Sequence, residues 1–392
     1  MSGRRVAVTG VGVVSPCGIG ADAFWAGLNG PAPEGLRRIT DFDPEPYFAN
    51  PKEARRTDRF AQFAIAAAAE ALAQSGELQA DPLKIGTWIG TGIGGLNTLE
   101  EQVRVHDAKG PRRVSPFMIP MLMANAASAA ISMKYGYQGP CENTSTACAA
   151  GTQSIGNAYH LIASGRCDAM VAGSTESTMT DVCIAGFTNM TAMSSTLTSR
   201  PFDKDRDGFV MAEGAGVLVL EEWETAKARG ATILAELMGA ASTADAHHIT
   251  APSPGGVGAI AAMELAIADA GLTPGDITYI NAHGTSTPLN DAAEAEAILK
   301  VFGADAPPVT SFKGITGHSL GAAGALEAVG IVIGMQKGLI PPTAGYQTPD
   351  PEMAPIDLVV GEAREWVPGP TLSNSFGFGG HNGCIVIGPP TD

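Results

Sequence analysis

Short, continuous apolar runs recur along the chain, and such runs are typical of strands that are buried on both faces. They occupy residues 5–14, 85–89, 168–173, 233–238, 277–281 and 308–311, and a further strand is expected within residues 208–220. Segments with helical character lie between them, at residues 59–72, 257–270 and 291–302 and within residues 116–135. Strands that alternate with helices along the whole chain predict an α/β fold with largely buried sheets.

The alternation of strands and helices restarts near residue 232, and no segment rich in Pro, Ser or charge separates the two parts. We therefore predict two halves of one body, residues 1–240 and 241–392, rather than two independent domains. The chain has 392 residues, of which 45% are hydrophobic, so it has enough apolar side chains for a large core.

Composition narrows the range of partners and compartments. The formal net charge of −16 disfavours nucleic acid, because binding to phosphates requires a positive surface. The six cysteines are scattered without a Cys-x-x-Cys pair, which favours a reducing, cytoplasmic setting. No apolar run reaches the roughly 18 residues that a membrane span requires, so we expect no membrane association. Two basic clusters remain, around Arg55 and Arg56 and around Arg112 and Arg113, and a solvated surface is the simplest role for both.

One cysteine stands at a junction that favours reactivity. Cys148 follows a run of small and β-favouring residues and precedes a segment with Ile155, Ala158 and Ile162 at helical spacing. The unpaired N–H groups and the dipole at a helix N-terminus favour a thiolate, and a thiolate is a nucleophile. The alternative is that Cys148 packs as a small hydrophobic side chain.

Two histidines occupy similar junctions in the second half of the chain. His283 follows a predicted strand, and His318 follows Lys313 at the start of an Ala- and Gly-rich helix. A glycine-rich loop near the end of the chain, within residues 374–383, can present backbone N–H groups to an anion. Together with Cys148, these groups indicate a nucleophile with an electrophilic assembly.

Two other chemistries receive little support from the sequence. Zinc also binds Cys and His side chains, but there is no closely spaced Cys–Cys or His–His pair, so we expect no metal. Gly10 and Gly12 resemble the start of a dinucleotide fingerprint. Ser15 stands at the position of its third glycine, however, and no clear strand with a terminal acidic residue follows.

Four motifs, in this order, resemble those of the β-ketoacyl-[acyl-carrier-protein] synthases of the thiolase superfamily, above all the elongating synthase II type. They occupy residues 146–148, 281–288, 313–324 and 374–383. Each motif alone would be weak, but four in register are specific, and the similarity extends over essentially the whole chain. The resemblance implies a thiolase-like five-layer αβαβα core built from two similar halves, and an enzyme without an organic cofactor.

The resemblance also implies a decarboxylative Claisen condensation in two steps. Cys148 is expected to attack an acyl thioester on acyl carrier protein, with the backbone N–H groups of Cys148 and Phe378 as the oxyanion hole. His283 and His318 are then expected to stabilise the enolate that malonyl-carrier protein forms on losing carbon dioxide. The enolate attacks the acyl-Cys148 thioester. The expected product is a 3-oxoacyl chain two carbons longer, as in fatty acid biosynthesis.

Further positions receive roles from the same resemblance. Lys313 is expected to orient His318, with Glu327 paired to Lys313, and Phe378 is expected to gate the acyl pocket. The resemblance assigns support of the site to Glu327, Asn374, Gly377 and Gly379, the phosphopantetheine contact to Thr285 and Thr287, the acyl pocket to Ile93, Cys183 and Phe187, and docking of the acidic carrier protein to Arg55, Arg56, Arg112 and Arg113.

The family forms homodimers, so a homodimer is expected, and three alternatives stay open. A ketosynthase subunit of a dissociated (type II) polyketide or polyene synthase would use the same chemistry, and a heterodimer with a chain-length partner is the corresponding alternative to the homodimer. A non-catalytic chain-length subunit typically lacks the nucleophile, so the presence of Cys148, His283 and His318 opposes it. A degradative thiolase would need a second catalytic cysteine near the C-terminus, where Cys384 lies in a strand-like run.

Overall fold

A computed structural model describes residues 3–391 of the chain. The strands are β1 (Val6–Ser15), β2 (Gly18–Ile19), β3 (Ile85–Gly90), β4 (Cys141–Glu142), β5 (Ala169–Glu176), β6 (Gly214–Glu222), β7 (Ala235–Ala244), β8 (Tyr279–Asn281), β9 (Val309–Thr310), β10 (Leu339–Ile340), β11 (Arg364–Glu365), β12 (Thr371–Gly377) and β13 (His381–Gly388). The helices are α1 (Ala21–Leu28), α2 (Pro51–Ala54), α3 (Arg59–Ser75), α4 (Leu96–Lys109), α5 (Met118–Leu122), α6 (Ala126–Tyr135), α7 (Ala150–Ala163), α8 (Asp181–Asn189), α9 (Trp223–Ala228), α10 (Val257–Asp269), α11 (Pro288–Phe302), α12 (Lys313–Thr316) and α13 (Ala323–Lys337).

The main sheet repeats one topology twice. Its strand order is β4-β3-β5-β6-β1-β7-β13-β12-β8-β9, with β2 beside β1. In each group of five, three neighbouring strands are parallel and the two nearest the middle of the sheet are antiparallel to their neighbours. The groups meet where Val6, Ala7 and Val8 of β1 pair with β7. The prediction of two similar halves is confirmed, and β7 spans the boundary predicted between residues 240 and 241.

The two groups of strands and the helices form the five expected layers. Helices α7 and α13 pack between the groups, α3 and α6 cover the first group from outside, and α10 and α11 cover the second. Alternate side chains of one strand face opposite layers, as the period of two requires. In β6, Leu218 and Leu220 pack with the central helices, whereas Val217 and Val219 pack with the alanine-rich face of α3. This two-sided burial explains the continuous apolar runs in the sequence.

Small residues let the two central helices touch. A Cβ on Gly324 of α13 would lie 2.2 Å from the Thr152 side chain of α7, so only glycine fits there. The segment Leu320–Lys337 is long and apolar enough to cross a membrane, which the sequence reading did not anticipate. It is 89% buried inside the protein, so its apolar character serves the core.

Some predicted elements have other bounds. Residues 116–135 hold two helices, α5 and α6, because the chain leaves the helical conformation at Met123. Within residues 208–220 the strand β6 begins only at Gly214; the residues before it make isolated bridges, among them Met211 to His318. That bridge brings the segment against the second half of the molecule.

Candidate active site

Loops from both halves meet at one end of the central helices. Cys148 lies in a short 3-10 turn, Ala147–Ala149, that leads directly into α7. His283 follows β8, His318 follows α12, and Phe378 follows β12. Because β8, β9 and β12 are parallel, the loops after them reach the same edge of the sheet. The structure thus brings together the residues from the four sequence motifs.

The turn that carries Cys148 has an unusual backbone. Ala147 has a positive φ of 49°, which an alanine adopts at a cost of about 1–2 kcal/mol. Gly377 lies directly behind the turn, where a Cβ would be 2.9 Å from the Thr146 carbonyl oxygen and 3.0 Å from the Cys148 nitrogen. The end of β12 is therefore pressed against the nucleophile turn, and the next residue, Phe378, reaches the sulfur.

The Cys148 thiol is buried and pairs with His318. The Sγ atom is 3.1 Å from His318 Nε2. Burial raises the pKa of the thiol to about 11; the Lys313 ammonium and a hydrogen bond from the Phe378 N–H lower it only in part. The expected preference for a thiolate at the helix N-terminus is therefore wrong for this structure, because desolvation outweighs these effects. At neutral pH the resting nucleophile is a neutral thiol.

The two histidines are buried, neutral and fixed in orientation. The His283 and His318 rings meet edge to face with centroids 5.4 Å apart, and Phe209 packs on the far side of His318 at 5.2 Å. Burial, reinforced by the charge of Lys313, lowers the pKa of both histidines well below the usual value. Each ring therefore has one N–H donor and one acceptor nitrogen at neutral pH.

Lys313 acts on the site through its charge. Its ammonium bonds Glu327 as the predicted pairing requires, and both side chains are almost fully buried. Among the hydrogen bonds of residues 3–391 there is none between the side chains of Lys313 and His318, so no direct orientation of the ring is seen. Burial raises the pKa of Glu327 to about 7, and Lys313 opposes that rise.

A cavity of about 420 Å³ opens onto the three reactive side chains. Most predicted contact residues lie on its wall: Ile93, Phe187, Thr285, Thr287, Gly377 and Phe378. Cys183 does not line this cavity; it packs in the apolar cluster around Cys148, beside Phe187. Of the three residues predicted for the acyl pocket, the structure therefore places Ile93 and Phe187 on the cavity wall but not Cys183.

The remaining support residues hold the loops around the cavity. Asn374 is fully buried and donates to Glu294 at 3.3 Å, and Gly379 donates from its backbone to Ile249 at 2.7 Å. The sequence reading did not assign Glu294, which accepts hydrogen bonds at 2.8 Å from the backbone N–H groups of His283 and Gly284. An acidic residue on the buried face of α11, eleven positions after His283, was the available signal.

The four predicted docking arginines lie on the surface. Arg55 and Arg56 follow α2, and Arg112 and Arg113 end a 3-10 turn after α4; all four are exposed. The Arg56 guanidinium lies 4.2 Å from the centre of the Phe117 ring, so the first basic cluster contacts the segment that follows Arg113. None of the four lines the cavity.

The same three reactive residues also form a potential metal site. The donor atoms of Cys148, His283 and His318 lie within 4.8 Å of one another, and Cys with His is a common donor set for zinc. These residues are not closely spaced along the chain, which is why no metal was expected, but the fold brings their donor atoms together. The condensation expected from the sequence employs these atoms as nucleophile and hydrogen-bonding groups.

The fold, with one cysteine and two histidines at a single cavity, is that of a condensing enzyme. Sequence models of the Beta-ketoacyl synthase N-terminal and C-terminal domains match residues 28–226 and 234–347. The chain belongs to the β-ketoacyl synthase family, and it is an acyltransferase of the thiolase superfamily.

Relatives cover the chain from end to end. The 3-oxoacyl-[acyl-carrier-protein] synthase 2 of Synechocystis sp. is 46% identical and that of Staphylococcus aureus (strain COL) is 45% identical, with 98% of each chain covered. Among solved structures, the ishigamide ketosynthase/chain length factor has a TM-score of 0.93 at 32% identity, covering 99% of this chain and 100% of that one. A type II PKS acyl-carrier protein in complex with its ketosynthase has a TM-score of 0.90 at 32% identity, with the same coverage.

Proposed function

We propose that this chain is a 3-oxoacyl-[acyl-carrier-protein] synthase of the synthase II type, which elongates acyl chains in fatty acid biosynthesis. The observation that carries the proposal is the contact of 3.1 Å between Cys148 Sγ and His318 Nε2, on the wall of a cavity that also exposes His283. The 45–46% identical relatives with the name synthase 2 support the fatty-acid reaction.

Acylation begins with a neutral pair. His318 Nε2 accepts the thiol proton as Cys148 Sγ attacks the thioester carbonyl, because the imidazole is neutral and adjacent. The backbone N–H groups of Phe378 and Cys148 both lower the pKa of the Cys148 thiol, so both act at the sulfur, and in this proposal they stabilise the carbonyl oxygen as it becomes negative. The tetrahedral intermediate then expels the pantetheine thiol, which takes the proton from His318.

Condensation uses both neutral imidazoles as donors. The bond between the malonyl carbon and its carboxylate breaks, carbon dioxide leaves, and the electron pair forms an enolate. The enolate oxygen accepts N–H bonds from His283 and from His318, whose neutral ring takes the Nε2–H tautomer once Cys148 is acylated and no longer donates a thiol proton to Nε2. The enolate carbon attacks the acyl carbonyl on Cys148, the C–S bond breaks, and the thiolate regains a proton from water. Thr285 and Thr287, with hydroxyl oxygens 2.9 Å apart on the cavity wall, are placed to bond the pantetheine arm.

A polyketide ketosynthase would use the same site, but the sequence similarity of this chain to such proteins is lower. Its structural representatives are 32% identical to this chain, against 45–46% for the synthase 2 relatives.

Incubation with acyl-carrier proteins of several chain lengths, followed by intact-mass spectrometry, tests the proposed synthase II function. A stable acyl adduct on the wild type but not on Cys148→Ala, discharged by malonyl-carrier protein as a 3-oxoacyl product, is the expected result. Absence of an adduct with every saturated chain would overturn it.

Acyl carrier protein is the proposed macromolecular partner. Carrier proteins are acidic, and the surface formed by Arg55, Arg56, Arg112 and Arg113 is basic and exposed despite the net charge of −16. In an Arg112→Glu/Arg113→Glu variant, KM for acyl-carrier protein should rise while KM for a small acyl thioester stays unchanged. Equal effects on both substrates would contradict docking at this surface.

A homodimer in the cytoplasm completes the proposal. All six cysteines are free thiols, which suits a reducing compartment. The edge strand β4 is exposed, and exposed apolar side chains lie on the neighbouring helices α4 and α5. Such a face is suited to a second copy of the chain.

A further inference from the structure

Glu176 is a buried carboxylate without a cation beside it. It is the last residue of β5 and is fully buried, and none of the ion pairs among residues 3–391 includes it. Its partners are three backbone N–H groups and one hydroxyl. Oε2 accepts from Gly92 N at 2.6 Å and Gly321 N at 3.2 Å, and Oε1 accepts from Thr91 Oγ1 at 3.1 Å and Ile93 N at 3.4 Å.

These donors belong to two different parts of the active site. Gly92 and Ile93 line the cavity on the side of the predicted acyl pocket. Gly321 follows Leu320, another cavity residue, and stands three positions after His318. The carboxylate thus joins the acyl-pocket segment, residues 91–93, to the histidine turn, residues 318–321.

The acyl-pocket segment and the histidine turn are in close contact, and a hydrogen bond connects the acyl-pocket segment to the residues before Cys148. A Cβ on Gly321 would lie 2.1 Å from the Gly92 nitrogen, so the two backbones approach as closely as glycine allows. Ser145, which stands three residues before Cys148, donates its hydroxyl to the Gly92 carbonyl oxygen at 3.2 Å. A shift of the acyl-pocket segment would therefore be transmitted to both His318 and Cys148.

We propose that Glu176 is a positioning residue that couples the shape of the acyl pocket to the placement of His318, and thereby sets acyl-chain selectivity. The proposal rests on the proposed condensing function. Replacing the carboxylate by an amide puts an NH₂ group against N–H donors, which leaves buried donors without acceptors. The least costly relief is separation of the two segments, because neither has another partner for these N–H groups among the hydrogen bonds of residues 3–391.

Glu176→Gln tests the coupling, with Glu221→Gln as the matched control. Glu221 is also a buried carboxylate, but it bonds Arg229 and Thr9, away from the cavity. Acylation of Cys148 by carrier proteins with short to long saturated chains is followed by intact-mass spectrometry, and discharge by malonyl-carrier protein is timed. In Glu176→Gln the ratio of long-chain to short-chain acylation rates should change by about tenfold to a hundredfold, and discharge should slow. Glu221→Gln should keep the wild-type ratio.

Thr91→Val is the milder variant if Glu176→Gln does not fold, since it removes one donor to Oε1 and keeps the carboxyl group. It should shift the same ratio in the same direction by a smaller factor. The inference is overturned if both variants keep the wild-type ratio and discharge rate, or if Glu221→Gln changes them equally. A wild type that forms no adduct would instead overturn the proposed function.

Discussion

In the proposed reaction, the neutral thiol of Cys148 makes proton transfer part of the acylation step. Its pKa is raised to about 11 by burial, so a negligible share is thiolate at pH 7. Three groups oppose that rise in pKa: the Lys313 ammonium, the Phe378 N–H and the N–H of Cys148 itself. Burial, reinforced by the Lys313 charge, lowers the pKa of both histidines and keeps them neutral, so His318 can act as an acceptor. The charge of one buried lysine thus lowers the pKa of both groups, which favours the thiolate of Cys148 and the neutral imidazole of His318.

Removal of Lys313 should make Cys148 harder to ionise. In Lys313→Met the pH–rate profile for alkylation of Cys148 by iodoacetamide should move to higher pH, since the charge that lowers the thiol pKa is lost. A double variant with Glu327→Gln avoids a buried unpaired carboxyl, which could cost about 3–5 kcal/mol of stability. The exposed Lys337 supplies a control as Lys337→Met. An unchanged pH–rate profile in both Lys313 variants would show that the lysine charge does not lower the pKa of the Cys148 thiol.

Glu294 should make the protein less stable as pH rises. Burial raises the pKa of its carboxyl to about 7 from an ordinary value near 4.5. A folded-state pKa above the unfolded one means that the folded state holds the proton more tightly. The resulting stability is present below about pH 4.5 and lost as pH rises through about 7.

Glu294→Gln should flatten that dependence. Between pH 4.5 and pH 8 the wild type should lose roughly 3 kcal/mol more of its free energy of unfolding than the variant does, by the linkage of pKa to stability. Urea unfolding at several pH values measures the difference. Parallel curves for the two proteins would contradict an elevated Glu294 pKa.

At the scale of elements, the site depends on a turn, a helix start and a strand end that press together. The 3-10 turn Ala147–Ala149 sets Cys148 ahead of α7, and β12 ends at Gly377 directly behind it. The contact brings the Phe378 N–H near enough to lower the pKa of the Cys148 thiol. Oxyanion stabilisation therefore requires that β12 approach the turn without a side chain between them.

Gly377→Ala should separate the two oxyanion donors. The added Cβ would lie 2.9 Å from the Thr146 oxygen and 3.1 Å from the Ala149 nitrogen, both backbone atoms that move only with the turn. Acylation should slow by about 10²- to 10³-fold, the usual loss for one oxyanion donor. Gly275→Ala, where the nearest atom would be 3.9 Å away, is the control. Acylation at the wild-type rate in Gly377→Ala would rule out this arrangement of the oxyanion hole.

Much of this element-level picture could be predicted from the sequence, because burial on both faces leaves a visible apolar run in β1, β3 and β5. The motifs likewise identified Cys148, His283 and His318, which the fold brings together. The thiol pKa could not be predicted, since it depends on desolvation by distant segments. The role of Glu176 could not be predicted for the same reason, because its hydrogen-bond donors, such as Gly321, lie up to 145 positions away in the sequence.

At the scale of the whole molecule, one face stands out from the acidic surface. Val103 of α4 is 49% exposed, Ile119 of α5 is 58% exposed, and Met123 just after α5 is 48% exposed. Helix α4 packs on α5, α5 on α6, and α6 on the edge strand β4, so this apolar face is continuous with an unpaired sheet edge. Ile93, at 42% exposed, lines the cavity, and it lies just before α4.

A charge on the apolar face should separate a homodimer. Ile119→Asp places a carboxylate on a face that a second copy would bury, and a buried unpaired charge costs several kcal/mol. The wild type should therefore sediment as a dimer and Ile119→Asp as a monomer at micromolar concentration. Val367→Asp, at a position 87% exposed and outside this face, should remain dimeric. A monomeric wild type would show that there is no homodimer. A dimer that persists in Ile119→Asp but dissociates in Val367→Asp would show that the interface lies elsewhere.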